Sequence, residues 1–123
     1  MIFNKIHDEN YKFYVFNNSD DELIGQCRFE IHKNRAIIDI SFTEQFRGKG
    51  LSERIIDEAY HKLFLGHNSV TQILAYIRPE NISSLKTFEK SGFKFVKENQ
   101  INNQLFHLYR LKIIFMIKRG YLL

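Results

Sequence analysis

Apolar positions in this chain first alternate, then recur at helical spacing, then alternate again, and that order sets the expected architecture. Residues 11–16 are aromatic and β-branched, which suits a strand, and Asn17, Asn18, Ser19, Asp20 and Asp21 behind them are turn formers. From Gly25 the period is two: Cys27, Phe29 and Ile31 share one face, and Gln26, Arg28 and Glu30 the other, as in a half-buried strand. His32, Lys33 and Asn34 turn the chain into a strand over 36–42. There Ile38, Ile40 and Phe42 face one way and Ile37, Asp39 and Ser41 the other, so a three-stranded meander is expected.

Beyond Gly50 the period becomes helical, with Leu51, Ile55, Ile56, Ala59 and Leu63 on one stripe and Gly66 placed to end the helix after about four turns. Residues 70–77 return to strand composition and stop at Pro79, which biases Arg78 toward extended backbone. Asn81 or Ser83 can cap a second helix carrying Leu85 and Phe88, with Gly92 at its end. Strands over 93–97 and 105–111 flank a polar turn at 99–103, which predicts a hairpin. The order β-β-β-α-β-α-β-β is that of an α+β protein, one mostly antiparallel mixed sheet with flanking helices. Residues 1–112 are expected to form one domain. The apolar and then basic tail 113–123 fits a strand extension, a core cover or a partner contact equally well.

A chain of 123 residues has the size of one domain, and 44% hydrophobic with 26% charged residues is the balance of a globular protein, not a disordered one. The lone Cys27 excludes an internal disulfide framework, fits a reducing compartment and, set in an apolar stretch, reads as core. No secretory leader pattern and no run of transmembrane length is present, so a cytoplasmic location without a membrane partner is expected. A formal charge of +4 and a pI near 9.2 would attract nucleic acid, a polyanionic cofactor or an acidic substrate, and charge alone does not choose. No DNA- or RNA-binding motif accompanies the charge, so nucleic acid is not expected among the partners. His7, His32, His61, His67 and His107 form no metal-ligand spacing with cysteine or carboxylates, so no metal is expected.

The segment Arg47-Gly48-Lys49-Gly50-Leu51-Ser52 joins a strand to a helix through a glycine-rich turn. Backbone N–H groups at a helix start lack intrahelical partners, and the macrodipole adds positive potential there, so an anion is held without a dedicated side chain. Gly48 and Gly50 let the backbone come close to a ligand, while Arg47 and Lys49 add charge. A plain tight turn with solvated basic residues would use the same residues. A Walker loop and a dinucleotide fingerprint are both excluded by spacing.

The stretch from Phe42 through Arg47, Gly50 and Ser52 resembles the acetyl-CoA signature R/Q-x-x-G-x-G/A of the GNAT N-acetyltransferase superfamily, with Ser52 in place of the usual small apolar residue. Residues 81–93, with Asn81, Ser84, Phe88, Glu89, Lys90, Gly92 and Phe93, resemble that superfamily's second block, N-x-x-S-x-x-x-F/Y-E-K-x-G-F. Two blocks in this order, about thirty residues apart, are more specific than either alone. The resemblance implies an N-acetyltransferase that moves an acetyl group from acetyl-CoA to a small-molecule primary amine by direct attack, with an amino-sugar nucleotide as one candidate acceptor. A catalytically silent CoA-binding module is the alternative.

It further implies a splayed end of the third strand, where backbone groups of Ile40 and Phe42 hold the pantetheine arm. Arg47, Gly48, Lys49, Gly50, Leu51 and Ser52 hold the diphosphate, and Asn81, Ser84 and Phe88 line the cofactor side. Asn81 and Ser84 serve equally as helix caps, and Lys90 suits the last turn of a helix as well as a phosphate. The family's usual general acid is a tyrosine at the position of Phe88. A phenyl ring donates no proton, so Tyr109, with Tyr76 behind it, is the substitute, although each also suits a packing role. Asp39 is the candidate base because strands are poor in Asp, and Glu44 is nearer the turn but reads as solvated charge. Relative to the family, the chain is N-terminally short ahead of residue 11. That implies an acceptor side left open or completed by a second copy in a homodimer.

Overall fold

The computed structural model describes residues 10–67 and 69–112. Among these residues, six strands and two helices follow in the expected order: β1 (Tyr11–Asn17), β2 (Leu23–His32), β3 (Arg35–Phe42), α1 (Ser52–Gly66), β4 (Gln72–Ile77), α2 (Ile82–Lys90), β5 (Lys94–Ile101) and β6 (Gln104–Lys112). A short 3-10 turn, Glu44–Phe46, precedes α1. Among the described residues the strands lie in one sheet in the order β1-β2-β3-β4-β6-β5, and only the β3–β4 pair is parallel.

Strand alternation translates directly into packing. Cys27, Phe29, Ala36, Ile38, Ile73 and Ala75 point to one face of the sheet, where they share a single apolar core with Ile56, Ala59 and Leu63 of α1 and Phe88 of α2. Both helices therefore cover the same face. On the opposite face of β2 and β3, Arg28 reaches Asp39 at 3.5 Å and lies 5.8 Å from the Tyr11 ring centre. Among the described residues, no helix is long and apolar enough to cross a membrane.

Two boundaries differ from expectation for identifiable reasons. The β5–β6 hairpin has a two-residue turn, not a loop over 99–103: Ile101 pairs with Gln104, and Asn102 and Asn103 both take left-handed backbone at φ 51° and 66°. Asparagine tolerates that conformation, and such a turn matches the twist of its strands. Gly66 does not end α1 from outside. It is the last helical residue, and the helix closes when the His67 N–H donates to the Leu63 carbonyl at 2.7 Å. Gly92, by contrast, has φ 97° and ends α2 as expected. The tail 113–123, His7 and the short segment ahead of β1 lie outside the described residues.

Cys27 is fully buried, and that burial, with the Asp39 charge adding to it, pushes its thiol well above the ordinary range. A thiolate is the reactive species. The native protein should therefore react with an aromatic disulfide reagent only as fast as it unfolds, followed by thiol absorbance with and without urea. Rapid stoichiometric labelling in buffer would contradict the placement.

Candidate functional site

Hydrogen-bond parity along β3 shows how its end is exposed. The Thr43 N–H donates to the Ile24 carbonyl on β2 at 3.0 Å, so odd-numbered residues of β3 direct their backbone groups to β2 and even-numbered ones to β4. The β3–β4 ladder pairs only Arg35 with Gln72, Ala36 with Ile73 and Ile37 with Leu74. Beyond it, β3 continues to Phe42 and β4 to Ile77 without further mutual pairing. The N–H and C=O groups of Ile40 and Phe42 thus face a widening gap. Those of Tyr76 face it from β4, since the Gln72 N–H points to the β3 side, donating to the Asn34 carbonyl. No bulge is needed: the β2–β3 register runs unbroken from Gly25 with Phe42 to His32 with Arg35.

The chain leaves β3 at this gap and passes through the glycine turn. Gly48 and Gly50 have φ 72° and 74°, the left-handed region that favours glycine, and a Cβ at either would meet nothing within 4 Å. The turn is therefore open to solvent. α1 starts behind it with Leu51 as N-cap, which supplies no side-chain hydrogen bond, and the first closing bond runs from the Ile55 N–H to the Leu51 carbonyl at 3.0 Å. The N–H groups of Ser52, Glu53 and Arg54 accordingly lack partners within the helix. The Arg47 Nε–H donates to the Phe42 carbonyl at 3.2 Å, which fixes the guanidinium between gap and turn, while Lys49 is exposed. Uncapped amides, two cations and open glycine backbone suit a diphosphate, and they border the slot formed by Ile40, Phe42 and Tyr76.

Asn81 caps α2: its Oδ1 accepts from the Ser84 N–H and from the Ser83 hydroxyl, both at 3.3 Å. Ser84 is half-buried in the first turn of that helix, and Lys90 is exposed in its last. The Phe88 ring is 5% exposed and stands edge-on to Phe93 at 5.0 Å, inside the core. Its position is one of packing.

The two candidates for proton chemistry are both engaged elsewhere. Tyr109 is buried, and its hydroxyl donates to Glu89 Oε2 at 2.9 Å, tying β6 to α2. Burial, reinforced by that carboxylate, raises its pKa above the ordinary 10.0. Asp39 has a side chain 69% exposed and paired with Arg28, on the sheet face away from the helices. The apolar surroundings expected of a base are absent there. Tyr76 is half-buried on β4, and Glu44 is exposed in the 3-10 turn. Among the described residues, no group of three or more His, Cys, Asp and Glu side chains is arranged to hold a metal.

Three residues with a bearing on this region had no role assigned from sequence. Gly25 lies where β2 and β3 approach too closely for a side chain, since a Cβ there would sit 2.5 Å from the Ser41 carbonyl oxygen. The signal was available, because glycine inside a strand pattern often marks close backbone approach. Thr43 bonds β2 through its hydroxyl as well as its N–H. Glu89 holds Tyr109 across 20 residues of sequence, a pairing that no local pattern announces. Across the end of β3 from the gap, Glu22, Leu23, Thr43, Glu44 and Gln45 line an open concavity of about 700 Å³ with two carboxylates on its wall.

Comparison with known proteins places these features in a family context. Residues 1–94 match the family model described as an acetyltransferase (GNAT) domain. A curated relative from Bacillus subtilis strain 168, named as the probable N-acetyltransferase YjcK, is 34% identical over 94 residues, which cover 70% of this chain and 49% of the relative. The chain thus spans about half the length of that relative. Similar solved structures include a mutant of the Vibrio cholerae spermidine N-acetyltransferase SpeG, at TM-score 0.83 and 22% identity over 97% of this chain and 76% of the other. A second SpeG mutant has TM-score 0.86 at 20% identity, covering 96% and 73%. A structure described as dodecameric spermidine N-acetyltransferase from the same organism has TM-score 0.82 at 21%, covering 95% and 73%. At these identities the structures establish likeness of fold.

Proposed function

The chain belongs to the GNAT acetyltransferase family, and from that premise we propose that it moves an acetyl group from acetyl-CoA to a small primary amine. One observation carries the proposal: the uncapped start of α1 and the β3–β4 gap open at the same end of β3. Acetyl-CoA, when bound, supplies an activated acetyl group on a thioester. The turn amides from Gly48 to Ser52, with Arg47 and Lys49, hold its diphosphate. The freed backbone edges of Ile40 and Tyr76, with the N–H of Phe42, hold the amide-bearing arm as a third strand would, and an N–H there polarises the thioester carbonyl. Asn81 and Ser84 border the same side at the start of α2.

The amine attacks the thioester carbon in its neutral form, its proton passing to water, and the C–S bond breaks as the C–N bond forms. Much of the rate then comes from positioning and polarisation, with little from proton transfer by side chains. A thiol leaves as its thiolate near its ordinary pKa of about 8.5, so a built-in acid is not required. Tyr109, its hydroxyl donating a hydrogen bond to Glu89, acts as a tie between sheet and helix. Tyr109→Phe should therefore leave kcat within about threefold while removing roughly 1 kcal/mol of stability. The sign of its pH dependence follows from a folded pKa above 10.0: its contribution to stability is complete below about pH 10 and is lost as the pH climbs through the raised value. Urea midpoints from pH 7 to 11 check this, with a flatter profile expected for the variant. A fall in kcat of a hundredfold would restore Tyr109 as the acid.

The acceptor is read as a cationic amine. Glu22 and Glu44 on the concavity beside β3 attract positive charge, and the similar SpeG structures are named for spermidine. Calorimetric titration with acetyl-CoA comes first, followed by thiol release across spermidine, amino-sugar nucleotides and peptides. Release with amino-sugar nucleotides or peptides alone would reject the cationic acceptor. Tight binding without release on any amine would instead establish the silent CoA-binding module, a reading favoured by the buried phenyl of Phe88 and the engaged hydroxyl of Tyr109.

A further inference from the structure

We infer that Thr43 and Gly25 form a clamp that sets the position of the diphosphate turn, so that Thr43 is a positioning residue for cofactor binding. The inference rests on the proposal above that this turn holds acetyl-CoA. Thr43 is the last residue before the 3-10 turn, and it grips the start of β2 three times. Its N–H donates to the Ile24 carbonyl at 3.0 Å, and its hydroxyl lies 2.8 Å from the Leu23 carbonyl and 3.2 Å from that of Ile24. One rotatable hydroxyl held between two successive carbonyls fixes both the side chain and the backbone that carries it.

Gly25 closes the other side of the clamp. A Cβ there would meet the Ser41 carbonyl oxygen at 2.5 Å and the Phe42 ring at 3.1 Å, so the two strands approach closer here than any side chain permits. Between these contacts lies Phe42, whose carbonyl turns to the gap and accepts from Arg47 Nε at 3.2 Å. The end of β3 is thus pinned to β2 on one edge and to the first cation of the turn on the other. Ligand-binding groups lose much of their value when misplaced by about 1 Å, and a turn of glycines has no stiffness of its own. The clamp supplies that stiffness from outside.

Thr43→Val keeps the shape of the side chain and removes its donor, while the backbone N–H bond and the pairing of Gly25 with Phe42 remain. Dissociation constants are measured for acetyl-CoA and for S-acetylpantetheine, which has the same arm without the diphosphate. The expected result is an increase of about tenfold for acetyl-CoA, with S-acetylpantetheine unchanged within about twofold and Thr43→Ser restored to wild type. Thr43→Ala, also without the donor, should repeat the selective loss and serves if the valine variant folds poorly. Equal weakening of both ligands, or unchanged affinity for acetyl-CoA, would overturn the clamp. A wild-type protein that binds neither ligand would bring down the functional proposal itself, and the clamp with it.

Discussion

Gly50→Glu is expected to lower the affinity for acetyl-CoA by at least two orders of magnitude while the protein stays folded. Gly50 lies in the left-handed region at φ 74°, and a Cβ there would enter open space. The fold therefore loses only the backbone strain, about 1–2 kcal/mol for a non-glycine residue. Binding suffers more. A carboxylate held about 4 Å from a diphosphate opposes it with roughly 4 kcal/mol at an effective dielectric of 20, and the side chain fills the space that the phosphates need. Gly66→Glu is the control: it adds the same charge at the far end of α1, in ordinary backbone with nothing within 4 Å. Calorimetry paired with circular dichroism separates the two effects. Retained affinity in folded Gly50→Glu protein would remove the turn from the site.

Phe29→Ala should be the most damaging of the core truncations, costing about 3–5 kcal/mol against the 5–15 kcal/mol that holds a domain together. Phe29 is fully buried on β2, and its ring stands edge-on to Tyr14 at 6.1 Å. Its strand also carries Gly25 and the carbonyls that Thr43 grips, so the core under Phe29 supports the edge from which the turn is hung. Val15, on the neighbouring strand but 60% exposed, should tolerate alanine within about 0.5 kcal/mol. Urea denaturation of the two variants gives the comparison. A loss under about 1.5 kcal/mol for Phe29→Ala would mean that the core is not centred there.

Asp39 and Tyr109 show where a chemical expectation outruns pattern. An aspartate in a strand and a tyrosine near a family motif are reasonable candidates for proton transfer, yet the value of either depends on what surrounds it. The sheet brings Arg28 opposite Asp39, and α2 brings Glu89 to the Tyr109 hydroxyl. Both partners are remote in sequence. Asn81 shows the reverse, because its capping role was legible from its place before a helix and is met within four residues of chain.

Local sequence was enough for the element order, the buried faces and the glycine turn, because side-chain period and backbone conformation are decided by residues within a few positions of one another. Only the tertiary structure decided that the β3–β4 ladder stops after Ile37 and Leu74, that Thr43 is bolted to Leu23 and Ile24, and that the proton-carrying candidates are already paired. Each of these is a meeting of segments far apart in the chain. Alternation says which way a side chain faces, but where two strands part depends on the helices and turns that hold them, and no single stretch of sequence contains both sides.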